Sequence, residues 1–191
     1  MKICLIRHGE TVWNSLGKLQ GREDIPLNDS GIMQIRQTLP YFRKSKWEAI
    51  ISSPLLRAKM SAEIIGKETG LDTIHEEAGF MERDLGKISG MTWEEVKKRY
   101  PDGNYEDTEP LDILQNRAVN ALGKWIKKFN GKDIVIVSHG ATINSILTTI
   151  SRNKIEMGKA IPGNAGISLL DKHGDEIEIV FYNKAVNELP L

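Results

Sequence analysis

Two stretches hold residue types that can do chemistry. Arg7-His8-Gly9-Glu10-Thr11 lies near the start of the chain, and Ser138-His139-Gly140 lies far along it. Arginine is a planar fork suited to a carboxylate or a phosphate. Histidine can act as nucleophile, base or metal ligand. Each stretch follows a short apolar run, so each reads as the loop at the carboxyl end of a buried strand. Open α/β sheets bind ligands in the crevice at that end. A lone Arg-His pair is ordinarily surface loop; the second strand-histidine-glycine arrangement is what raises it above that. A metal site is the first rival. No third ligand stands at metal spacing, such as two histidines one helical turn apart, and Arg7 beside His8 would repel a divalent cation. An anion site suits these residues better. The glycines after both histidines are expected to let a ligand approach the backbone closely.

The rest of the chain supplies elements to position such a pair. Met1 to Ile6 and Asp133 to Ser138 are apolar and β-branched, and read as buried strands. Ala49-Ile50-Ile51-Ser52 reads as another, and Leu71 to Ile74 as a short one. Asn28, Asp29 and Ser30 can cap a helix through Phe42, which Pro40 should kink or split. Ser53-Pro54 opens the next helix, with Ser53 as cap and Gly70 as stop. Glu76 to Gly90 lacks a period and reads as a loop, with function as one reason for its length. Thr92-Trp93-Glu94-Glu95 forms a capping box for a short helix ending near Tyr100. After a polar linker over residues 102–110, a long amphipathic helix runs from Leu111 to Phe129. Another helix covers Thr142 to Ile150. Ala165 to Leu170 and Glu176 to Tyr182 read as a hairpin, and residues 183–191 as a surface tail. Strands alternating with helices imply an α/β protein with a mostly parallel sheet.

Composition narrows the function classes. The 191 residues suit one domain spanning 1–191. Lys+Arg and Asp+Glu number 26 each, so no net charge points to nucleic acid or an anionic membrane. Cys4 lies in the first apolar run and reads as a small buried hydrophobe. No stretch approaches the length of a membrane span, and the run before Arg7 is too short for a signal peptide. The default is a soluble cytoplasmic protein; oligomeric state is left unassigned.

Leu5-Ile6-Arg7-His8-Gly9-Glu10-Thr11-Val12-Trp13-Asn14 closely resembles the signature of the histidine phosphatase superfamily, the phosphoglycerate-mutase-like proteins. Gln20-Gly21-Arg22 with Pro26-Leu27, Ser52-Ser53-Pro54-Leu55 with Arg57-Ala58, and Val137-Ser138-His139-Gly140 resemble its further elements, in the same order. The resemblance implies a three-layer α/β/α sandwich. It implies that His8 is the nucleophile, forming a phosphohistidine. Arg7, Arg57 and His139 would grip the phosphoryl oxygens and Asn14 would donate a further hydrogen bond. Gln20, Gly21 and Gly140 complete the implied phosphate- and substrate-binding set. Phosphoryl transfer needs in-line positioning and donors aimed at the equatorial oxygens, and two arginines give bidentate, charge-assisted contacts. Phe80-Met81-Glu82-Arg83-Asp84-Leu85-Gly86 resembles the acid-bearing loop, which makes Glu82 the proton donor, with Glu10 and Asp84 as rivals. The resemblance implies neither metal nor cofactor.

Asp84 and Leu85 stand where the mutases of the family carry His and Tyr. The segment from Gly90 to Leu111 is short, and a short cover lets water in. The expected activity is therefore phosphomonoester hydrolysis on a small phosphorylated metabolite. A cofactor-dependent phosphoglycerate mutase is the alternative within the enzymes. A non-catalytic phospholigand-binding protein is the alternative outside them, and it should have lost His8, Glu82 or an arginine.

Overall fold

The computed structural model describes residues 1–105 and 107–189. Its centre is strand β1 (Lys2–Arg7), whose residues Ile3 to Ile6 are fully buried. Strand β4 (Ile134–Ser138) lies parallel on one side, with Ile3 opposite Ile134 and Arg7 opposite Ser138. Strand β5 (Ile167–His173) lies antiparallel on the other side, with Ile6 opposite Ile167. Beyond β4 come β2 (Ala49–Ser52) and β3 (Ile74–Glu76), both parallel to it; beyond β5 comes antiparallel β6 (Glu176–Lys184). The order is β3-β2-β4-β1-β5-β6, so this is an α/β fold with a mixed sheet whose first four positions are parallel.

Strand periodicity explains the layering. Ile3 and Leu5 of β1, Ile51 of β2, and Ile134 and Ile136 of β4 pack with helices α5 (Leu111–Lys128) and α6 (Gly140–Ile150). Their neighbours Cys4, Ile6, Ile50, Val135 and Val137 point the other way, against α2 (Asp29–Arg43) and α3 (Leu56–Thr69). Unbroken apolar strands thus feed two cores, one on each face. After β1 the chain passes to the α2 face, and after β4 it enters α6 on the opposite face. Adjacent strands whose connections part in this way open a crevice at their carboxyl ends. His8 and His139 are the first residues past those two ends.

Several expectations need correction. The helix through Pro40 does not split; it runs on to Arg43, and Pro40 sits in its last turn. Helix α3 begins at Leu56 with Leu55 as a cap that offers no side-chain bond, so Ser53 is not its cap. The third strand is Ile74–Glu76, displaced toward the loop from the expected 71–74. The expected tail is partly structure: Asn183 and Lys184 belong to β6, and Leu189 is buried against the α2–α3 core because its apolar side chain has a hydrophobic surface to cover. Residues 190 and 191 of that tail, and residue 106 of the linker, lie outside the described residues. The capping box at Thr92 and Glu95 opens α4 (Trp93–Arg99) as expected. The four-residue helix Val12–Ser15 is α1.

Candidate active site

His8 is 2% exposed. Its Nδ1 lies 2.6 Å from the carbonyl of Gly9, which can only accept. The proton therefore sits on Nδ1, and Nε2 keeps its lone pair, facing the Nε–H of Arg57 at 3.3 Å. Burial holds the His8 pKa well below the ordinary imidazole value, and the charges of Arg7 and Arg57 lower it further; the Gly9 hydrogen bond opposes them and loses. His139 stands beside it, ring centroids 5.1 Å apart and tilted by 57°. Its pKa is also held well below normal, first by burial and then by Arg57, His8 and Arg7.

The donors around these rings are arranged for an anion. Arg57 is 1% exposed on the first turn of α3. Its Nη1 donates to the carbonyl of Glu23 at 2.6 Å and its Nη2 to that of Gly21 at 2.8 Å. Burial pushes its pKa down to about 10, which still leaves it charged at neutral pH. Arg7 donates Nη1 to the carbonyl of Pro162 at 2.7 Å. Two buried nitrogens have no protein partner among the described residues: Nε of Arg7 and Nδ1 of His139. Buried polar atoms are rarely left unpaired, and two at one crevice mark a place built to receive acceptor oxygens.

Asn14 closes one side of this group. Its Oδ1 accepts from Thr11 N at 3.1 Å and from Asn164 Nδ2 at 3.2 Å. That commitment of the oxygen leaves the amino group for a ligand. Gln20 and Gly21 take protein partners: Gln20 Oε1 accepts from Thr11 Oγ1 at 3.0 Å, and the Gly21 carbonyl holds Arg57.

Of the three carboxylates in contention, Glu82 alone is tied to the helix that follows His139. Its Oε1 accepts from Thr142 Oγ1 and its Oε2 from the Ala141 amide, both at 3.3 Å, in the first turn of α6. Its charge also acts on Arg7 and Arg57. Glu10 instead accepts from Asn28 Nδ2 at 2.8 Å, and Asp84 from the Gly86 amide at 2.9 Å.

The glycines serve a different purpose from the one expected. A Cβ on Gly9 would sit 2.3 Å from the carbonyl oxygen of Gly31 in α2, and one on Gly140 would sit 2.8 Å from Ile161 Cγ2. Protein, not ligand, fills the space. Other residues carry no local signal. Ser53 Oγ shares a hydrogen bond with His139 Nε2 at 2.7 Å; its place just past the end of β2, beside β4, was the clue. Asn164 has no motif around it, and Thr142 lies two residues past Ser138-His139-Gly140 without belonging to it. His75 packs on Trp125 and Phe129, and His173 is exposed beside Asp171. Among the described residues, no group of His, Cys, Asp and Glu is arranged to hold a metal ion, and no helix is long and apolar enough to cross a membrane.

Residues 3–185 match the histidine phosphatase superfamily, branch 1. The chain belongs to that superfamily. The uncharacterized phosphatase PhoE of Bacillus subtilis (strain 168) is 41% identical over 181 residues, covering 95% of this chain and 93% of that protein. A probable phosphoglycerate mutase, GpmB of Salmonella arizonae, is 34% identical and covers 78% of this chain and 74% of its own. Among solved structures, phosphoserine phosphatase from Entamoeba histolytica in complex with 3-phosphoglyceric acid superposes with a TM-score of 0.84 at 31% identity, covering 98% of this chain and 99% of that one. The likeness extends across the sheet and both helical layers, so this branch-1 histidine phosphatase fold positions the crevice at the ends of β1 and β4.

Proposed function

We propose that this protein is a phosphomonoesterase that hydrolyses small phosphorylated metabolites through a phosphohistidine on His8. One observation carries the reading: His8 turns Nδ1 to the Gly9 carbonyl and Nε2 to the Nε–H of Arg57 at 3.3 Å, with the His139 ring alongside and the charge of Arg7 near. A phosphoryl group gripped by those side chains presents its phosphorus to Nε2, and the grip tightens as charge spreads over the equatorial oxygens.

The steps balance. Nε2 attacks phosphorus and the ester P–O bond breaks; Glu82, protonated, gives its proton to the departing oxygen. The resulting carboxylate takes a proton from water, whose oxygen attacks phosphorus. The N–P bond breaks, His8 is restored, and inorganic phosphate leaves. Asn14 orients one phosphoryl oxygen, while Gln20, Gly21 and Gly140 shape the walls. We read residues 1–191 as one domain, cytoplasmic and independent of metal or organic cofactor.

Hydrolysis is favoured over mutase action by the cover. Between Gly90 and Leu111 its only regular element among the described residues is α4, seven residues long, and a cover that short favours entry of water to the phosphoenzyme. The relationship to GpmB favours the mutase reading. The test is phosphate release from a panel of monophosphates, with phosphoserine, 3-phosphoglycerate and 2,3-bisphosphoglycerate included. Phosphate release without 2-phosphoglycerate supports the phosphatase. Isomerisation primed by bisphosphoglycerate, with little phosphate, overturns it.

A further inference from the structure

Glu82 stands on a stretch with no helix or strand of its own. From Met81 to Leu85 the chain is irregular, between single turns at Ala78–Phe80 and Gly86–Ile88. Such a stretch must have its carbonyls satisfied from outside. One guanidinium from α5 serves the two carbonyls around Glu82, with Thr142 Oγ1 also donating to that of Met81 at 2.7 Å. Arg117 Nη1 donates to the carbonyls of Gly79 at 2.9 Å and Met81 at 2.7 Å, and its Nη2 donates to that of Glu82 at 2.9 Å.

Arg117 is itself held. Its Nε and Nη2 reach the two carboxylate oxygens of Glu109 at 2.6 and 2.8 Å, a bidentate pair. The Glu109 side chain is 7% exposed. It also accepts from the Asp84 amide at 3.2 Å and from Arg22 at 3.4 Å. Its own amide donates to the Asp84 carbonyl at 2.8 Å, and its carbonyl accepts from Arg83 Nε at 2.7 Å. The pair therefore grips the loop on both sides of Glu82. Its hydrogen bonds go to that loop, to Arg22 and within the pair; none reaches His8, His139, Arg7 or Arg57 among the described residues.

We propose that Glu109 and Arg117 are positioning residues for proton transfer, setting where the Glu82 carboxylate stands against the leaving oxygen. The inference rests on reading Glu82 as the acid. A planar fork is needed for the task, since a lysine has only three donors on one nitrogen and cannot span three carbonyls and both oxygens of a carboxylate. Reacting groups misplaced by about 1 Å lose on the order of 10²-fold in rate.

The experiment compares an alkyl phosphate, whose leaving oxygen needs a proton, with p-nitrophenyl phosphate, whose leaving group does not. Arg117→Lys and the near-isosteric Glu109→Gln should each lower kcat/KM, which reports transfer to His8 and not the later hydrolysis common to both esters, by about 10- to 100-fold on the alkyl ester. On the aryl ester kcat/KM should fall less than about threefold. Added to Glu82→Gln, either change should cost little more, because both act on a proton that is no longer supplied. Equal losses on the two esters, or full additivity with Glu82→Gln, would mean general loosening and overturn the proposal. Glu82→Gln alone decides the underlying reading: if it does not separate the esters, Glu82 is not the acid. If it does and the pair's variants do not, the positioning role alone fails.

Discussion

Arg57 Nε donates to His8 Nε2 across 3.3 Å, so the nitrogen assigned as nucleophile is already in the hands of a buried guanidinium. The other two Arg57 nitrogens are committed to the carbonyls of Gly21 and Glu23. On the proposed mechanism, an entering phosphoryl oxygen would take over the Nε donor and release the lone pair where phosphorus arrives.

Replacing His8 by Ala removes that nitrogen. Turnover should fall by at least ~10³-fold, the scale for loss of a covalent nucleophile. Acid-labile phosphoenzyme, trapped from a labelled substrate, should vanish with it. Surviving turnover would assign the attack to another group.

Glu82→Gln keeps the shape and one accepting oxygen but cannot deliver a proton. Hydrolysis of an alkyl ester should slow by about 10² or more, the range for general acids. An activated aryl ester should slow by less than about tenfold. Steady-state kinetics on the two esters make the measurement.

Gly9→Ala tests the packing that aims His8. The added methyl would lie 2.3 Å from the Gly31 carbonyl oxygen, and backbone must move to admit it. A cost of roughly 1–3 kcal/mol is expected for such overpacking, or about 2–12 °C in Tm for a chain of this size. Thermal melts would read it. An unchanged Tm would mean that α2 is free to shift.

Stability should fall in acid because of the paired imidazoles. In the unfolded chain His8 and His139 take up protons below about pH 6.5. In the folded protein burial, with Arg7 and Arg57 nearby, holds both well below that value. The unfolded state then binds more protons, and folding free energy drops as pH falls below about 6.5, by about 1 kcal/mol per pH unit for each histidine. Urea melts across that range should show the slope, reduced in His139→Gln.

Much of this was legible in order along the chain. The strands around Cys4 and Val135 announced themselves by apolar, β-branched runs, and the two histidines just past their ends do lie side by side. Arg57 was legible only through the family resemblance, since an arginine on a first helical turn is usually solvated; here Gly21 and Glu23 turn carbonyls to it. Ser53 was misread because a Ser-Pro pair has the local chemistry of a helix cap, while tertiary structure spends its hydroxyl on His139. Arg117 gave no local sign, because its partners at Gly79, Met81 and Glu82 lie over thirty residues away and are backbone atoms, which every residue has.

Strand β1 holds the middle of the sheet, yet its partners come late. Ile3 pairs with Ile134 and with Leu170. A growing chain therefore makes the His8 strand first and can dock it only after most of the polypeptide has been synthesised. Until β4 and β5 emerge, an apolar edge with open hydrogen-bonding groups stays unprotected. Such long-range closure slows folding and exposes the nascent chain to association. The strand that ends beside His8 is made before the others and gains its second neighbour only when Leu170 has emerged.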